Sequence, residues 1–195
     1  MKSHLTRSWE RTLGRFALFV ACLGACLLPG AAADASWEAG IKVGYFEPVD
    51  SFFEALYKKG IFYGFSGGWI HPKGMGLLIG VDLYLRDIQY NGRSHSVSLI
   101  PVTASFVYLP FPDQRITPIL GFGWGWYRLS DSSLFSKSTN TWDALGYHGL
   151  GGVRVVVYRA LFADVQVKYS YAKAEGLDNS NIGGWSSSFG FGYRF

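Results

Sequence analysis

Cysteine is scarce in this chain of 195 residues: there are two, Cys22 and Cys26, and both stand close to the N-terminus. The segment that holds them reads as a secretory leader. Lys2, Arg7, Arg11 and Arg15 are basic, Phe16 to Leu28 is apolar, and the small residues Ala31, Ala32 and Ala33 follow. That order predicts a cleavable signal peptide over residues 1–33, cut near Ala33 or Ala35, and its apolar run is too short for a permanent membrane anchor. Leu23-Gly24-Ala25-Cys26 offers a second outcome, a lipidated Cys26 at the mature terminus. The Ala-rich site beyond Pro29 and Gly30 favours ordinary cleavage. Residues 34–195 then hold no thiol, which excludes a disulfide framework, a thiol nucleophile and a cysteine metal site.

Charge is also sparse, at 16% of residues. Loss of Lys2, Arg7, Arg11, Arg15 and Glu10 with the leader brings the net charge from +4 down to about +1. Such a balance carries no nucleic-acid footprint. No apolar run of spanning length follows the leader. No metal-ligand cluster, phosphate-binding glycine loop or catalytic-triad spacing stands out, so no cofactor, no metal and no catalytic residue is expected. Gly121, Gly123 and Gly125 alternate along a strand and do not open a helix.

Aromatics and glycine, by contrast, are plentiful, and the last strand shows how they are used. Phe189, Phe191, Tyr193 and Phe195 fall on one face and Gly190, Gly192 and Arg194 on the other, because side chains alternate along a strand. A wholly aromatic face at a free strand end is an aggregation hazard in water. In lipid it is the outer face of a closed barrel. A chain with no spanning helix has that one remaining way through a bilayer, since every backbone polar group must be paired inside it. The predicted fold is all-β, an eight-stranded antiparallel transmembrane β-barrel over residues 34–195.

Eight alternating segments can be read: Trp37 to Phe46, Ile61 to Ile70, Leu77 to Arg86, Ser98 to Tyr108, Thr117 to Arg128, Trp142 to Val157, Ala163 to Tyr171, and a last one beginning near Gly184. Pro101 lies within the fourth and predicts a bulge or irregularity, because it removes a ladder donor. Glu47 to Lys59, Asp87 to Ser96, Leu129 to Thr141 and Ala172 to Gly183 read as long polar loops, and the connections between them are short. Outer-membrane barrels share this asymmetry, with the long loops outside the cell. Trp37, Trp69, Tyr108, Trp126, Tyr171, Tyr193 and Phe195 fit girdles at the two lipid–water interfaces. In the first loop, Ser51 and Glu54 have capping-box spacing, and Phe53, Leu56 and Tyr57 have helical spacing. One helical turn packed on the rim is expected there; a lid or adhesive surface is the alternative.

These residues resemble the small outer-membrane β-barrel superfamily, which includes outer membrane proteins X and W and the membrane domain of outer membrane protein A. The resemblance rests on Phe191-Gly192-Tyr193-Arg194-Phe195, Pro118-Ile119-Leu120-Gly121-Phe122-Gly123-Trp124-Gly125, Val167-Lys168-Tyr169-Ser170 and Asn181-Ile182-Gly183-Gly184. It implies that Phe191, Tyr193 and Phe195 form a signal read by the barrel-assembly machinery. It also implies contact with outer-membrane lipid and lipopolysaccharide. It assigns no job, because the superfamily hosts pores, adhesins, anchors and lipid enzymes.

The inward face collects Glu38, Lys42, Asp82, Arg86, Arg154, Asp164, Lys168 and Arg194. Glu38, Arg154, Asp164 and Arg194 count toward the periplasmic end, and Lys42, Asp82, Arg86 and Lys168 lie higher. An eight-stranded barrel is only wide enough inside for side chains, and buried charges need partners. An ion-pair network that plugs the lumen is therefore expected, with a structural or surface-interaction role for the barrel. A narrow channel for small or apolar solutes is the alternative, as the likeness to outer membrane protein W suggests. A lipid-modifying enzyme is disfavoured. His148 and Ser170 could make a base and nucleophile, but both point inward. The resemblance places the histidine of the lipid A deacylase motif where Lys168 stands.

Overall fold

The computed structural model describes residues 36–51, 53–54, 58–90, 93–132, 140–174 and 180–195. The expected signal peptide, the alternative lipidation site at Cys26, and Leu56 and Tyr57 of the first loop lie outside them. Eight strands follow in order: β1 Ser36–Pro48, β2 Gly60–Ile70, β3 Met75–Tyr90, β4 Arg93–Tyr108, β5 Ile116–Ser132, β6 Asn140–Tyr158, β7 Leu161–Ala172 and β8 Gly184–Arg194. Each pairs antiparallel with the next, and β8 closes on β1 with Glu38 opposite Arg194 and Gly40 opposite Gly192. Closure leaves no free edge, so the aromatic last strand is a wall element.

Alternation sorts the side chains as the period of two requires. Along β2, Tyr63 and Phe65 are exposed on the outside, and Phe62 is buried inside. Along β5, Leu120, Phe122 and Trp124 point out while Ile119 and Tyr127 point in. Apolar residues outside and polar residues inside are the arrangement lipid demands. The outer face is knitted by rings directly opposite one another on neighbouring strands: Phe106 with Phe122, Tyr147 with Tyr171, and Tyr169 with Trp185, the last at 4.9 Å between centroids. Pairs of this kind each contribute roughly 0.2–1 kcal/mol.

Three connections at one end are short, spanning 71–74, 109–115 and 159–160. By the asymmetry of outer-membrane barrels this is the periplasmic end. Gly74 in the first of these turns has φ of 85°, and a side chain there would strike the Leu109 carbonyl. At the other end the strands overrun their expected limits. The expected long loop from Asp87 to Ser96 is largely strand: β3 runs to Tyr90 and β4 begins at Arg93, pairing Asp87 with Ser96 and Tyr90 with Arg93. The polar composition of 87–96 misled the reading.

At Pro101 the β3–β4 ladder lapses. Val81 pairs with Val102 and Tyr84 with Leu99, with no pairing between, and the register on either side is the same. Proline withholds a donor there without forcing a bulge. Among the described residues, a register shift lies between Val156 and Tyr158, on the β6–β7 ladder.

Candidate functional site

The interior is organised in layers. At the extracellular end, Phe46, Phe62, Tyr84, Leu99, Tyr127 and Leu129 belong to a buried apolar cluster. At the periplasmic end, Ile70, Val107, Leu109 and Ile119 make a second one, with Leu78 and Leu150 against it. The charged side chains lie between.

The lower charged group is built on Arg154. Its Nη1 and Nη2 donate to the Glu38 carboxylate at 2.6 and 2.9 Å, and its Nε and Nη2 donate to Asp164 at 2.8 and 3.0 Å. Asp164 is its direct neighbour across the β6–β7 ladder, whereas Glu38 reaches it from β1 across the lumen. The guanidinium also lies 3.8 Å from the centre of the Phe162 ring. Gln166 donates to Asp164 at 3.3 Å. A planar fork of five donors suits two carboxylates at once.

The upper group inverts that stoichiometry. Asp82 on β3 receives Lys42 Nζ at 2.8 Å from β1 and Lys168 Nζ at 2.7 Å from β7, the strand diametrically opposite. Between Lys42 and Asp82 the ladder places Gly64, and any side chain there would collide with both. The lower group has one cation and two carboxylates; the upper has one carboxylate and two cations. Counted as ionised, the groups carry −1 and +1.

Two of the eight charged residues that the alternation assigns to the lumen stand outside these groups. Arg86 does not reach Asp82; it sits at the extracellular rim and donates through Nη1 to the Lys59 carbonyl. Arg194 faces Glu38 across the β8–β1 ladder, yet Glu38 turns to Arg154, and Arg194 Nε is buried without a hydrogen bond among the described residues. Register neighbours thus lost to a cross-lumen partner with better donor geometry.

His148 is buried and its Nε2 lies 2.8 Å from Ser105 Oγ, while Ser170 exchanges hydrogen bonds with the backbone of Gly184. The His148–Ser170 pair is adjacent in the ladder but not hydrogen-bonded. No group of three or more His, Cys, Asp or Glu that could hold a metal ion occurs among the described residues.

The extracellular rim carries interactions the sequence reading missed. In the loop after β1 the capping contacts are made by Asp50, not Ser51: Asp50 Oδ1 accepts the Phe53 amide at 3.2 Å, and Glu54 N donates to the Asp50 carbonyl at 2.7 Å. Phe53 is 1% exposed and joins the apolar cluster of the outer lumen. The available signal was that Asp is as good a cap as Ser and stood one residue earlier. Asp50 Oδ2 also accepts from Asn181 N at 3.2 Å, which ties this loop to the one before β8. Glu47 lies 2.6 Å from Lys59, and its hydrogen bond and charge hold that ammonium above its ordinary pKa.

No protein family and no curated sequence matches the chain. Solved structures do. Neisserial surface protein A superposes with a TM-score of 0.63 at 19% identity, over 85% of this chain and 100% of that one. The outer membrane protein OprG from Pseudomonas aeruginosa gives 0.59 at 15% identity, over 85% and 98%. Ail, the attachment invasion locus protein of Yersinia pestis, bound to the heparin analogue sucrose octasulfate, gives 0.55 at 16% identity, over 82% and 99%. Closed topology, an apolar belt facing out, charges facing in and these superpositions agree: the chain has the fold of the small eight-stranded outer-membrane β-barrels, and it belongs in the bacterial outer membrane.

Proposed function

We propose that this barrel is a non-conducting outer-membrane protein whose charged side chains plug the lumen, and that its work is structural or done by the loops at the cell surface. The supporting observation is the size of the space left inside. Where the two charged groups meet, a cavity of about 50 Å³ remains, lined by Glu38, Lys42, Arg154, Asp164 and Lys168. A second, of about 20 Å³, lies against Asp82, Lys168 and Tyr127. A water needs on the order of 10–15 Å³ by this measure, so the two spaces hold a few waters and no file of them. His148 and Ser170 are buried beside this plug, away from lipid, which supports a non-enzymatic reading. Purified protein in planar bilayers is expected to give no conductance steps at moderate voltage. Regular steps would overturn the plug and favour a narrow channel.

We also propose that the outward face of Phe191, Tyr193 and Phe195 is read by the barrel-assembly machinery. Phe195 N donates to the Trp37 carbonyl at 2.7 Å, so Phe195 sits on the seam that closes the barrel. Phe195→Ser is expected to lower surface abundance several-fold in cells, scored by heat-modifiable mobility of outer-membrane fractions. Unchanged abundance would reject the signal.

A further inference from the structure

The two rims of the barrel handle their charges differently. At the extracellular rim Lys59 pairs with Glu47 and Glu54, and Arg128 pairs with Asp143. The three short connections at the periplasmic end carry Lys73, Asp113, Arg115 and Arg159, three cations against one carboxylate. None of these four is in an ion pair among the described residues. Arg194 adds a further cation at this end; its backbone N donates to the Ala160 carbonyl at 2.9 Å. The nearest inward carboxylates, Glu38 and Asp164, are both bonded to Arg154.

Two of these arginines are placed by one irregularity. The β6–β7 register shifts between Val156 and Tyr158, and alternation fails there: the consecutive residues Val157 and Tyr158 are both exposed, at 48% and 64%. A bulge at a barrel rim re-aims a side chain in this way. Arg159 follows in a two-residue turn with φ of 48°, a position that glycine or asparagine fills without steric cost. Its guanidinium lies 5.2 Å from the centre of the Tyr158 ring, within cation–π range. Arg115 reaches the same strand end from the start of β5, where its carbonyl accepts the Val156 amide at 2.8 Å. Both arginines are exposed. Beside them Ile116, Val157 and Leu161 are exposed apolar residues of the lipid-facing wall.

We propose that Arg115 and Arg159 hold the phosphate of an anionic phospholipid in the periplasmic leaflet, with its acyl chains along Ile116, Val157 and Leu161. Guanidinium forks match phosphate oxygens in pairs and give up their water more readily than ammonium does. Tyrosine beside them belongs at the depth of the headgroups, and cations there attract anionic lipid. A headgroup of net negative charge complements the two arginines, whereas the ammonium of a zwitterionic headgroup is repelled by them. The site lies outside the lumen and does not depend on whether the lumen conducts.

The full barrel, purified in neutral detergent, would be titrated with dioleoyl phosphatidylglycerol and dioleoyl phosphatidylethanolamine, and retained lipid counted by native mass spectrometry. One phosphatidylglycerol is expected to bind about tenfold more tightly than phosphatidylethanolamine. Arg115→Gln and Arg159→Gln should each lower its retention several-fold, with heat-modifiable mobility confirming the fold. Lys73→Gln removes the same charge from the same end and should change retention little. A loss as large as that of Arg159→Gln would mean diffuse attraction to the whole rim and overturn the site. Equal retention of the two lipids by the wild type, a result that needs no variant, would overturn it as well. Displacement of phosphatidylglycerol by glycerol 3-phosphate would assign the arginines to a free phosphate ester and overturn the lipid.

Discussion

The two charged groups of the lumen are inverses of each other, and the residue at each centre explains why they differ in tightness. Around Arg154 a rigid planar fork binds two carboxylates through four hydrogen bonds and stacks on Phe162; the Arg154 and Glu38 side chains are 2% and 3% exposed. Around Asp82 two ammonium groups on flexible stems converge, and Lys42 and Lys168 keep 16% and 12% of their side-chain surface. Guanidinium is pre-organised and weakly hydrated; ammonium is a strongly hydrated point charge with many rotamers. The Arg154 group therefore resembles a structural rivet. The Asp82 group can rearrange, because either lysine can retract its charge along its stem.

Breaking the rivet should give the largest effect. Arg154→Met strands two carboxylates side by side in an interior with room for only a few waters, and a loss of about 3–5 kcal/mol is expected. Urea unfolding in lipid vesicles, followed by tryptophan fluorescence, would measure it; a loss near zero would mean that water reaches the group freely.

Asp82→Asn leaves two lysines facing each other, but their stems can swing apart, so about 2–4 kcal/mol is expected by the same measurement. Replacing Asp82, Lys42 and Lys168 together with apolar residues of similar volume should recover most of that, since removing a whole buried ion group is often neutral. If the triple variant is as unstable as the single one, the charges contribute more than mutual neutralisation.

The smallest effect should come from Lys168→Met. It removes a surplus cation and leaves Asp82 paired with Lys42, so a change under about 1 kcal/mol is expected. A loss as large as that of Arg154→Met would abolish the distinction between the two groups.

Much of this architecture was legible in the chain, and the exceptions share a cause. The inward set Glu38, Lys42, Asp82, Arg154, Asp164 and Lys168 follows from parity along each strand, as do the lipid-facing rings of β2, β5 and β8. The pairing within that set does not. Glu38 lies opposite Arg194 in the ladder and bonds to Arg154 instead. Asp82 could as readily have met Arg86, four residues along its own strand, but the Arg86 side chain rises to the rim. The loops were least legible: Asp50 makes the capping contacts in place of Ser51, and β3 and β4 extend into the polar sequence of 87–96.

Sequence alone determined the closed antiparallel barrel and the sidedness of each strand, because a period of two has one solution when one face meets lipid. Tertiary structure alone decided which cation meets which carboxylate. Lys168 and Asp82 are 86 residues apart and on opposite walls, and Arg154 and Glu38 are 116 residues apart. Their distance across the lumen depends on strand tilt and stagger around the whole ring, a property of closure that no single segment encodes.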